Sequence, residues 1–162
     1  MSGIDPILHL LQQDCRLSPS ELAARLQLDE SEVRRRLEGW EADGTILGYQ
    51  AVLDRDRAGA TSVVALIEVK ISPEREGGFD RVAQRLARFD QVRNCHLISG
   101  DYDLAVTVEG RDLREVAQFV AEKLSTIQGV LSTATHFRLK TYKENNLLVD
   151  DPVENGRLPV SP

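Results

Sequence analysis

The chain is poor in several residue types, and each shortage removes a class of protein. Its two cysteines, Cys15 and Cys95, lie far apart. They fit no metal-ligand or redox spacing, and a disulfide scaffold needs more of them. Both read as buried free thiols. Histidine is limited to His9, His96 and His136, with no Ser/His/Asp arrangement and no acidic-histidine cluster. The expectation is no catalytic residue, no metal and no cofactor. No apolar run approaches the roughly 18–20 residues a membrane helix needs. Met1-Ser2-Gly3-Ile4-Asp5 lacks a basic stretch followed by an apolar one, so no secretory signal is expected and cytoplasm is the default. Basic residues are outnumbered, 20 against 26 acids, for a net charge of −6. Residues 1–60 carry seven arginines against eleven acids. That balance opposes nucleic acid as a partner unless arginines cluster locally, as Arg34-Arg35-Arg36 do.

What is present is a pair of helix-start signals. In Ser18-Pro19-Ser20-Glu21 and Asp29-Glu30-Ser31-Glu32 a short side chain (Ser18, Asp29) can accept the N3 amide. The N3 glutamate (Glu21, Glu32) can in turn reach back to the cap residue's own N–H. Leu17 with Leu22 and Leu28 with Val33 have the spacing of hydrophobic staples. Pro19 suits the first helical position. These signals predict a helix over about 19–26 and, after a sharp turn, another over about 30–43. Asp5-Pro6 predicts an earlier helix ending near Asp14. Val33, Leu37 and Trp40 recur at helical spacing and face inward. Thr45 to Leu53 reads as a strand or strand pair bent at Gly48. Three helices with a β-wing define a winged helix-turn-helix over 1–53.

Residues 54–62 are charged and aperiodic and read as a linker. Over 63–143 the pattern becomes β-α-β-β-α-β: strands from Val63 to Ile71, Val92 to Ser99, Leu104 to Val108 and Val130 to Tyr142. Helices are expected at Phe79 to Phe89 and from Asp112 to Gly129. This is the ferredoxin-like arrangement, so the fold class is α+β. One sheet face needs cover beyond its own helices. Ala65, Ile67, Leu97, Phe137 and Leu139 are candidates for that face, and a second subunit for the cover. Residues 144–162 read as an extended tail.

With Val33, Leu37 and Trp40 inward, the helical rotation puts Ser31, Arg35 and Glu38 on the opposite face, flanked by Arg34. Either Arg34 or Arg35 suits a bidentate bond to a guanine edge, and Arg36, nearer the core edge, suits a phosphate. Glu32 fits its own capping box or, alternatively, a cytosine amine. Gln27 closes the turn where a glycine would be free of left-handed strain.

The order and spacing of several short segments resemble the leucine-responsive / asparagine-synthase-regulator family of transcription regulators (Lrp/AsnC). They are Glu21-Leu22-Ala23, Arg35-Arg36-Leu37, Gly44 to Asp54, Gly59, Ser99-Gly100-Asp101-Tyr102-Asp103-Leu104, Gly129-Val130 and Thr133-Ala134-Thr135. The likeness spans about residues 4–143. It implies promoter DNA as a partner and a RAM-type effector domain. It also implies self-association into homodimers and further, up to octamers. An amino acid or related metabolite would bind near the loop at Ser99, Gly100, Asp101, Tyr102 and Asp103. Thr133 and Thr135 share a strand face that suits the same cleft, and His96 and His136 are further candidates. Two alternatives stand beside this: an effector-binding module without DNA contact, and an enzyme similar to haem-pathway decarboxylases of the same two-domain layout.

Overall fold

A computed structural model describes residues 3–72 and 78–149. The readings of the first two residues and of 150–162 lie outside these. The chain divides into two compact units, Met1–Leu53 and Asp54–Pro162.

The first unit holds α1 (Pro6–Gln13), α2 (Pro19–Leu26) and α3 (Glu30–Ala42). Asp5 accepts the Ile7 amide and Pro6 stands at N1, so α1 starts where the cap predicts. The box at Ser18 is complete: Glu21 donates its amide to the Ser18 hydroxyl, and its carboxylate accepts the Ser18 amide at 2.8 Å. Gln27 ends α2 at φ 55°, ψ 42°, in the left-handed region. Ile7, Leu22, Ala23 and Val33 are buried, with Leu10, Leu11, Leu17, Leu26, Leu37 and Trp40 packed around them. Leu17 thus joins Leu22 as a staple should, whereas Leu28 is 37% exposed and outside this core.

The second start signal is only half of a box. Asp29 accepts the Ser31 amide at 2.8 Å, but both oxygens of Glu32 are taken by Arg35 and Arg36. Charge-assisted bonds to two guanidiniums a turn further along outcompete one neutral amide.

The expected wing is not formed among the described residues. Residues 47–54 have no secondary structure, and Leu47 is 97% exposed. A β-rich segment becomes a strand only when another strand satisfies its amides and carbonyls, and the described residues of this unit supply none. The local ties are Ile46 N–H to the Trp40 carbonyl and the Tyr49 hydroxyl to Glu41 at 2.8 Å.

The second unit contains β1 (Val63–Ile71), α4 (Gly78–Ala87), β2 (Val92–Leu97), β3 (Leu104–Gly110), α5 (Leu113–Gln118) and β4 (Val130–Phe137). The antiparallel sheet has the order β2-β3-β1-β4. Ala65, Ile67, Val69 and Ile71 of β1 and Leu104, Val106 and Val108 of β3 are buried with Val82, Leu86, Val116, Phe119, Leu124 and Ile127. Gly110 lets α5 start close to the sheet: a Cβ there would stand 2.9 Å from Val116 Cγ2. The expected single helix after Asp112 changes to a π-helical turn over Phe119–Leu124.

Four further expectations are corrected. Ala65 and Ile67 face the helices, as do Phe137 and Leu97 by their pairing with Ala65 and Leu104. The other face instead carries Leu66, Glu68, Lys70, Thr107, His96 and His136, because strand parity assigns alternate residues to opposite sides. Leu139 lies past the end of β4 and is 95% exposed. β4 stops at Phe137, and Lys143–Glu144 and Leu147–Leu148 form a small hairpin, β5 and β6, where an extended tail was expected. Cys15 and Cys95 are free thiols but only half-buried.

Residues 54–62, read as a linker, open as a turn rather than a free tether. Asp54 accepts the amides of Asp56 and Arg57, both at 3.1 Å. Arg55 reaches Ser62 and Glu109.

Candidate functional site

In the first unit, α3 displays the predicted face. Val33 is fully buried, and Leu37 and Trp40 pack beside it. Ser31, Arg34, Arg35 and Glu38 are all exposed on the other side. Together with Asp29 and Glu30 they line an open concavity of about 470 Å³. The arginine side chains are 57% exposed at Arg34 and 72% at Arg35.

Carboxylates hold each arginine differently. Arg34 donates through Nη2 to Glu30 at 2.6 Å. Arg35 donates through Nε and Nη2 to the two oxygens of Glu32, at 2.9 and 2.8 Å. Arg36 turns the other way: its Nε donates to Glu32 at 2.7 Å and its Nη1 to Asp5 at 3.2 Å. Asp5 is also the α1 cap, so Arg36 ties α3 to the start of α1. Arg36, then Arg35, holds the Glu32 carboxyl below its usual range, and Glu32 raises Arg36 in turn. Ser31 lowers Asp29 by its hydroxyl and amide.

In the second unit, the β2–β3 connection contains Ser99, Gly100, Asp101, Tyr102 and Asp103. Ser99, Gly100 and Asp101 are exposed, while Tyr102 and Asp103 are half-buried. Gly100 has φ +140° and open space around its Cα, a conformation that L side chains rarely adopt. Asp103 anchors the loop. Its carbonyl accepts from Ile98 at 2.9 Å, its amide donates to Val69 at 3.0 Å, and its carboxylate accepts the Ile71 amide at 2.7 Å. Lys70 Nζ donates to the Asp101 carbonyl.

Thr133 pairs with Val69 and Thr135 with Ile67. They lie at the same end of the sheet as the loop, on the far side of β1. Two strand spacings, about 10 Å, separate them from the loop. His96 and His136 do not join this group. They stand on the opposite sheet face, on edge strands β2 and β4, and His136 is 3.0 Å from Glu68. No cluster of possible metal ligands occurs among the described residues.

Glu109 was not expected from the sequence. Ser62 at 2.6 Å, Arg55, and Arg93 at 2.8 Å converge on it. The Ser62 hydroxyl, then the two guanidiniums, hold its carboxyl down at about 2 against an ordinary 4.5. A lone glutamate at the end of an alternating strand carries no local signal for partners so distant in sequence.

A three-helix unit with an arginine-bearing third helix, joined to a split βαβ effector-type domain, defines the class: a helix-turn-helix transcription regulator with a ligand-binding domain. The AsnC-type helix-turn-helix domain matches residues 6–39, and the Lrp/AsnC ligand binding domain matches residues 64–148. The chain belongs to the Lrp/AsnC family. It is 38% identical over 157 residues to the uncharacterized HTH-type transcriptional regulator YugG of Bacillus subtilis, covering 96% of this chain and 95% of that one. It is 30% identical to a proline dehydrogenase transcriptional activator of Rhizobium radiobacter, over 87% of this chain and 90% of that one. The transcriptional regulator NMB0573 of Neisseria meningitidis, solved as an L-Met complex, superposes with a TM-score of 0.68 at 27% identity, covering 88% of this chain and 94% of that one. These relatives are regulators, not enzymes. The chain is a DNA-binding regulator that responds to a small effector. Among the described residues no helix is long and apolar enough to cross a membrane.

Proposed function

We propose that the chain reads double-stranded promoter DNA with Ser31, Arg34, Arg35 and Glu38, Arg36 holding α3 in place. The supporting observation is the solvent-facing pair Arg34 and Arg35 on the side of α3 opposite Val33, Leu37 and Trp40. A helix presenting guanidiniums and short polar groups matches major-groove base edges. The effector is an amino acid or a related small metabolite. It is held by Ser99, Gly100, Asp101, Tyr102 and Asp103, with Thr133 and Thr135 supplied across a contact between copies, since about 10 Å separates the two groups within one chain. The L-Met complex of the Neisseria relative and the leucine-responsive regulatory protein of Klebsiella pneumoniae (29% identical) support that chemical class. The protein works in the cytoplasm as a homodimer or a larger assembly, up to an octamer.

The test is a band shift on the protein's own promoter region, with a thermal-shift screen of the amino acids. Arg35→Ala weakens promoter binding by about tenfold or more and leaves the assembly state intact; equal affinity for the variant and the parent sinks the groove assignment. One amino acid raises the melting temperature of the parent, and Gly100→Val abolishes that rise. A rise that persists in the variant refutes the loop assignment.

A further inference from the structure

We infer that Glu32 is the positioning residue that sets base specificity, by presenting Arg35 end-on to a guanine while a carboxylate relay fixes it to the body of the domain. The inference rests on the DNA-reading role proposed above for α3. A guanidinium has two donor edges. The side edge of Arg35, Nε with Nη2, is occupied by the two Glu32 oxygens at 2.9 and 2.8 Å. The end edge, Nη1 with Nη2, keeps a hydrogen available on each nitrogen, on a side chain that is 72% exposed. A two-donor edge is what guanine O6 and N7 accept. Clamping one edge therefore selects the other and removes side-chain freedom before binding.

The clamp is itself braced. Glu32 also accepts from Arg36 at 2.7 Å, and Arg36 reaches Asp5 at 3.2 Å, whose other oxygen caps α1. Asp5, Arg36, Glu32 and Arg35 thus form one chain of alternating charge from the α1 cap to the exposed face. Only its outer end is open to solvent: the Arg35 side chain is 72% exposed, whereas Glu32, Arg36 and Asp5 are 32%, 35% and 26% exposed. Arg34 lacks this support. It makes a single Nη2 bond to Glu30, whose side chain is 48% exposed. The two arginines therefore differ in role: Arg35 reads a base, and Arg34 is free to follow a phosphate.

The test is selection of a randomised duplex library by the full-length protein, followed by sequencing. The parent enriches a guanine at the position read by Arg35. Glu32→Gln lowers that preference by about fivefold, and affinity for unselected duplex stays level or rises because an anion is removed. Arg35→Lys, which keeps the charge but has no second edge, gives the same loss, and the double variant loses nothing more. Glu32→Asp, one methylene too short to bridge both guanidiniums, keeps the acid and decides the matter if the glutamine variant does not fold. An unchanged guanine preference in Glu32→Gln or, failing that, Glu32→Asp overturns the inference, as do additive losses in the double variant. If the parent enriches nothing, or Arg35→Ala changes nothing, the DNA reading itself fails and the inference falls with it.

Discussion

Asp103 substitutes for a missing β3 partner of Ile71: its carboxylate accepts the Ile71 amide at 2.7 Å. β1 runs two residues past its last pair with β3, Val69 with Leu104, so the Ile71 amide reaches a place where β3 has already turned away. One side chain therefore closes the sheet and fixes the loop that carries Gly100 and Asp101.

Asp103 and Asp101 consequently separate on mutation. Asp103→Ala leaves a half-buried amide unpaired and costs about 1–3 kcal/mol, read as a lower denaturation midpoint. Asp101→Ala leaves stability unchanged within about 0.5 kcal/mol and abolishes the melting-temperature rise caused by the effector. Equal stability of the two variants would contradict the anchoring role.

Glu109 gives the second domain an acid-sensitive joint. Its carboxyl sits at about 2 in the folded chain against an ordinary 4.5. A depressed carboxylate contributes its stability above the unfolded value, so that contribution is present above pH 4.5 and is lost as pH falls from 4.5 towards 2. Glu109→Gln flattens the stability profile in this window and costs on the order of 1 kcal/mol at neutral pH, since the charge that two guanidiniums face and one acceptor oxygen are lost in a partly solvated place. Denaturant titrations at several pH values measure it, and parallel profiles would refute the joint.

Gln27 carries left-handed strain between α2 and α3, at φ 55°. Gln27→Gly relieves it and stabilises the first domain by about 0.5–1 kcal/mol after the entropy cost of glycine. A lower melting temperature in the variant would show that the Gln27 side chain makes a contact worth more than the strain.

Arg34 and Arg36 answer differently to salt. Arg36 is committed to Glu32 and Asp5, so Arg36→Met leaves the slope of log affinity against log salt unchanged while lowering thermal stability. Arg34→Met reduces that slope by about 0.9, one phosphate. A loss of slope from Arg36→Met would make it a direct DNA contact.

Much of this organisation was legible because it rests on short-range chemistry. The Ser18 box, Pro6 and Pro19 at N1, and the strained turn at Gln27 depend on neighbours within four residues, and each stands where the sequence puts it. The β-α-β-β-α-β order followed from alternation and helical spacing for the same reason. The β5–β6 hairpin has its signal in Asn145-Asn146, residues that tolerate positive φ and take 42° and 70° here, as a two-residue hairpin turn requires. Strand parity is hidden at Ala65 and Ile67 by the five apolar residues Val63–Ile67, and is marked only further along, where Glu68 and Lys70 fall on the outward set.

The sequence by itself determined where helices begin, which face of α3 is apolar and which loop carries the glycine, because capping and periodicity act locally. Tertiary structure decided which charges meet. Whether Arg36 faces out or ties back to Asp5, and whether Glu109 gathers Ser62, Arg55 and Arg93, are settled by contacts between segments far apart in the chain, while Glu32 leaves its own cap for two arginines within its own helix. It also decided that 45–53, expected as a strand or strand pair, stays unpaired, since a strand exists only against another strand.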